Sequence, residues 1–128
     1  MQIDESILGK SSEDLLYELG VSVADESLGS KTKSRMDFVF DALAWMSNRR
    51  AEFISRICQS SVIARLREYE RTSNRLALIG AIADLVCYCC GTAPVMTVSA
   101  LLADEGLHVL CISECSDEHR ENKSETKP

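Results

Sequence analysis

The chain reads as a mainly α-helical single domain, five or six helices around a buried central hairpin with little or no β-structure. Three observations carry that expectation. From Leu76 to Ala103 the only charged side chain is Asp84, so this stretch seeks protein rather than water. The run Gly91-Thr92-Ala93-Pro94 interrupts it near the middle and folds it back on itself. Apolar residues from Met36 to Tyr69 recur at helical spacing, and no confident pair of alternating strands accompanies them.

The individual elements follow in order. Residues 1–10 read as a loose arm. Ser11 caps a short helix whose first turn carries Glu13 and Asp14, with Leu15, Leu16 and Leu19 inward and Gly20 as its end. Residues 21–34 read as a mobile loop rich in Ser, Gly and Lys, with one brief extended piece at Val21-Ser22-Val23. Ser34 caps the best-supported amphipathic helix: Met36, Val39, Phe40, Leu43 and Met46 share a face that Phe38, Ala42 and Trp45 widen. Ser47-Asn48-Arg49-Arg50 either breaks it or crosses an exposed side before Phe53, Ile54, Ile57 and Cys58 resume the pattern. Gln59-Ser60-Ser61 predicts a kink. Val62, Ile63, Leu66 and Tyr69 then form a narrower stripe, with Arg65–Glu68 and Arg67–Glu70 as pairs three residues apart on the wet side.

Leu76 to Cys90 is apolar on every side, which predicts burial on every side. Gly80 there argues for a close helix contact, since a mid-helix glycine otherwise costs about 1 kcal/mol. Thr92 and Pro94 open the second arm of the hairpin, Gly106 stops it, and residues 107–113 favour another helical turn over a strand. The helical domain thus spans 1–113, and the polar residues 114–128 form a disordered or frayed acidic tail.

Charge is unevenly spread. The net charge is −6, yet residues 31–75 carry ten Lys or Arg against five Asp or Glu. Either acidic ends fold over this basic middle, or the basic face meets an acidic partner. An acidic chain overall disfavours nonspecific nucleic-acid binding. The segment TVSALLADEGLHVLCISE has the outline of a helix-turn-helix, but its second helix offers His108, Cys111 and Ser113 and no side chain suited to reading base edges.

The six cysteines are not spaced as a disulfide framework, and MQIDESILGK is no secretory leader; reduced thiols in a cytoplasmic protein are the expectation. Cys87, Cys90, His108 and Cys111 supply the alternative, a zinc or thiol redox site, although only Cys87 and Cys90 share a helical face. A membrane-associated protein is a second alternative, because Leu85 to Ala103 is nineteen residues long and uncharged. No phosphate-cradling loop, serine elbow or oxyanion loop is present, so an enzyme is not expected. Asp84 is expected to be buried and paired inside the bundle, or else to line a partner-binding groove or the domain rim.

A protein–protein interaction module is the function this pattern favours: an adaptor, a chaperone-like protein or a regulatory subunit, with a protein partner or self-association and neither nucleic acid nor membrane. Arg49, Arg50, Arg56, Arg65, Arg67 and Arg71 form the candidate binding stripe, since arginine is enriched at interfaces. Trp45, Phe38 and Phe53 are its candidate anchors.

Overall fold

The computed structural model describes residues 5–24 and 34–111. The described residues contain no strand and form a helical bundle: α1 (Ser12–Ala24), α2 (Arg35–Ile57), α3 (Ser60–Arg71), α4 (Arg75–Cys90) and α5 (Val95–Glu105). A short 3-10 helix at Glu5–Gly9 precedes them, and residues 107–111 are helical again. The amino-terminal segment is thus not wholly a loose arm, because Ile7 is drawn into the core. The expected tail at 114–128 and most of the expected 21–34 loop lie outside the described residues.

Capping chemistry sets the helix starts. Ser11 Oγ accepts from the Asp14 N–H while Asp14 accepts from the Ser11 N–H. Ser34 and Asp37 repeat the exchange at the start of α2, and Asn74 accepts from the Ala77 N–H at the start of α4. Ser47 to Arg50 does not break α2, which runs unbroken for 23 residues. α3 and α4 are separate helices: Ser73 takes φ 59°, and the turn from Thr72 to Asn74 ends α3. The α4–α5 turn corrects one detail, because Pro94 and not Thr92 holds the N-cap position of α5, with no side-chain cap. Gly91 has φ 61° and ψ −123°, a conformation open to glycine and costly for other residues.

α4 and α5 pack against each other as the central hairpin. The ion pair between Arg75, at the start of α4, and Asp104, near the end of α5, shows that they run antiparallel. Leu78, Ile79, Ile82 and Val86 of α4 meet Val98, Leu101 and Leu102 of α5 in one core that also holds Leu15, Leu19, Phe53, Ile57, Leu66 and Leu110. Burial of each large side chain contributes about 1.5–3 kcal/mol.

One expectation about this centre fails. The α4 helix is not enclosed on all sides: Ala77, Gly80 and Ala81 are half-buried, and Tyr88 is 84 % exposed. A close helix contact at a glycine occurs on α1. Gly20 does not end that helix but lies inside it, buried against the Phe38 carbonyl, and α1 continues through Val21-Ser22-Val23 to Ala24. A second correction concerns the thiols. Cys58 and Cys111 form a disulfide, Cα–Cα 5.5 Å, tying the end of α2 to the helical stretch after α5.

Candidate functional site

Half of the candidate arginine stripe, Arg49, Arg50 and Arg71, is engaged within the fold. Arg50 holds Glu105 of α5 in a two-pronged pair at 2.7 and 2.9 Å, and Arg71 holds Glu68 at 2.6 Å. The expected Arg65–Glu68 and Arg67–Glu70 pairs are absent, since Glu70 instead accepts from the Leu107 N–H at 3.0 Å. Arg49 lies over the Trp45 ring at 4.2 Å and donates to the Trp45 carbonyl. Trp45 leans on Phe53 in turn, ring centroids 6.1 Å apart. Phe53 is fully buried, so it is core and no anchor, and Phe38 stacks edge-on against Tyr17. Arg56, Arg65 and Arg67 remain exposed at the surface.

Acidic ends do fold over the basic middle. Arg35 holds Glu13 and Asp14, Arg50 holds Glu105, and Arg75 holds Asp104, each joining the middle to a flanking acidic segment. Ser11 hydrogen bonds, with help from Arg35, keep the Asp14 carboxyl below its ordinary range. The Glu13 and Asp14 carboxylates hold the Arg35 guanidinium above its own.

Asp84 is exposed, which corrects the expectation that it is buried. It sits at the rim of a small cleft of about 110 Å³ between α3 and α4 that Arg65, Val62 and Leu85 also line. The zinc alternative fails on geometry. Cys111 is consumed by the bond to Cys58, His108 is exposed, and Cys90 is buried. Among the described residues no group of three or more His, Cys, Asp or Glu could hold a metal ion. Burial pushes the Cys90 thiol up to about 11 and raises Cys89 as well, which makes both poor nucleophiles. Among the described residues no helix is long and apolar enough to cross a membrane.

The surface feature that stands out is on α2. Met36, Phe40 and Leu43 occur at spacings of four and three, so they line one side of the helix, and they are 48, 59 and 47 % exposed. The flanking side explains why α2 sits as it does: Val39 and Ala42 are buried in its first half, Phe53 and Ile57 in its second, and Ile54, which returns to the direction of Met36, is buried too and closes the exposed stretch. Leu43 also forms one wall of a shallow groove of about 240 Å³, with Leu16 of α1, Met46 of α2 and Leu101 of α5; Asp104 and Glu105 edge it. Stripe and groove are therefore one continuous apolar surface with a polar margin. The sequence assigned these three residues to the core-facing arc. The signal against that was the arc's width, which exceeded what one neighbouring helix on each side covers.

Comparison of the chain with protein-family models, with curated proteins and with solved structures finds no match.

Proposed function

We propose that the chain is a non-enzymatic protein–protein interaction module, an adaptor or regulatory subunit, whose docking face is the outer side of α2. One observation carries this reading: three large apolar side chains, Met36, Phe40 and Leu43, lie side by side in solvent and open onto a groove floored by Leu16, Met46 and Leu101. Contiguous exposed apolar surface with a polar rim is what interaction sites present, whereas isolated exposed residues such as Tyr88 or Leu8 need no such account. Phe40 replaces Phe53 as the central anchor, and the arginines serve the fold more than the face. Arg65 and Arg67 are exposed on α3, where an acidic partner segment is the complementary chemistry.

The cytoplasmic setting expected from the sequence requires the Cys58–Cys111 bridge to survive a reducing environment. Cys111 is 2 % exposed, which shields one of its sulfurs from attack.

The test is a pull-down from source cells with the wild-type chain and with Phe40→Glu, matched for thermal stability. A protein recovered by the first and lost with the second supports the reading. Identical recovery with both refutes α2 as the docking face.

A further inference from the structure

We infer that the occupant of the α2 face is a second copy of this chain, the two α2 helices packing antiparallel across a two-fold axis beside Leu43 and Ala44. The inference rests on the reading of α2 as a docking face and adds the identity of the partner. Its basis is a change of side-chain size halfway along the exposed side. Met36, Phe40 and Leu43 are large, while Ala44, Ser47 and Ala51, which continue the same side, are small and exposed.

A two-fold contact sets residue i against j and j against i. Run antiparallel, the α2 face has a register that places Met36 against Ala51, Phe40 against Ser47 and Leu43 against Ala44. Every large side chain then meets a small one, twice over by symmetry. Small residues at those positions let the helix axes approach to the roughly 8–10 Å of ordinary helix packing. A parallel pair has no such solution, because it sets Phe40 on Phe40 and leaves Ser47 facing Ser47.

The contact is modest. Met36 to Ala51 covers about 22 Å of helix at a rise of roughly 1.5 Å per residue, and one helix pair of that length falls short of the ~1,200 Å² of standard interfaces. A dimer dissociating in the micromolar range is the expectation. Charge adds a second signature. Asp37 of one copy falls near Glu52 of the other, both exposed, so their repulsion opposes pairing and added salt relieves it. This dimer tightens with ionic strength.

Sedimentation equilibrium on the full chain from about 5 µM to about 1 mM, in low salt and in about 0.5 M NaCl, tests this. Two variants at solvent-facing positions accompany it, each checked for native helicity. Phe40→Glu removes the central anchor. Ser47→Trp adds apolar surface, which a foreign apolar partner tolerates or gains from, but fills the seat of Phe40 from the other copy. Expected are a wild-type dimer that tightens with salt and a loss of at least about tenfold in affinity for each variant. A monomer throughout overturns the second copy as occupant, as does a dimer indifferent to both substitutions or one strengthened by Ser47→Trp. If the chain is monomeric and Phe40→Glu still abolishes capture of a different protein, the self-pairing fails while the docking face stands. If Phe40→Glu changes neither self-association nor capture, both fail.

Discussion

At the scale of single residues, Gly20 shows how a side chain's absence sets a helix contact. A Cβ there would lie 1.9 Å from the Phe38 carbonyl oxygen and 2.5 Å from its carbon, and both are backbone, so one helix must shift. Gly20→Ala is therefore expected to destabilise the fold by about 2–3 kcal/mol despite its better helix propensity, read as a lower urea midpoint with unchanged slope. Ser99 is the opposite case. It is fully buried in α5, and its Oγ finds no partner among the described residues. Ser99→Ala removes an unpaid desolvation, so it should leave the urea midpoint unchanged or raise it by up to about 1 kcal/mol in stability. Neither role was legible from the sequence, where Gly20 reads as a stop. Both depend on which backbone lies opposite, and periodicity carries no information about that. Asp84 misled for the same reason: an apolar helix of 16 residues predicts cover all round, but a cleft between α3 and α4 leaves the carboxylate in water.

At the scale of elements, starts and stops were the most legible part. Ser11, Ser34, Asn74, Gly91 and Gly106 punctuate the chain by local chemistry, which needs no tertiary partner. The hairpin of α4 and α5 was legible too, because an uncharged run with a Gly-Thr-Ala-Pro break has few other solutions. What stayed hidden was the pairing of distant ends. Cys58 and Cys111 are 53 residues apart in sequence, and spacing alone cannot choose a partner for either. Closing a loop of that length restricts the unfolded chain, worth about 4 kcal/mol in the loop-entropy account. Cys58→Ser with Cys111→Ser, or reduction of the wild type, should lower stability by about 2–4 kcal/mol, measured by urea unfolding with and without reductant. Equal curves would show that α2 and the 107–111 stretch are held by Leu107, Leu110 and Ile57 packing without the bond.

Across the whole molecule, charge and thiols together shape the response to pH. Acidic ends lie over a basic middle, so the carboxylates must stay ionised for the clamps Arg35–Asp14, Arg50–Glu105 and Arg75–Asp104 to hold. Asp14 is held below its ordinary 3.8, first by Ser11 and then by Arg35. A carboxyl depressed on folding stabilises the native state above the unfolded value, and that contribution disappears as pH falls through the folded one. The alkaline limit has the reverse sign. The Cys90 thiol rises from 9.0 to about 11 because burial disfavours the thiolate, so the unfolded chain gives up its proton first. Native stability is then intact below pH 9 and drains away as pH climbs towards about 11. Thermal unfolding across pH should show a plateau between these limits. Asp14→Asn should merge with wild type at the acid end alone, and Cys90→Ala should flatten the alkaline fall alone. Thiol labelling of the folded chain gives the independent check: Cys87, half-exposed, should react at pH 8 well before Cys89 and Cys90. Prompt labelling of all three would mean that the α4 core opens far more readily than its packing implies.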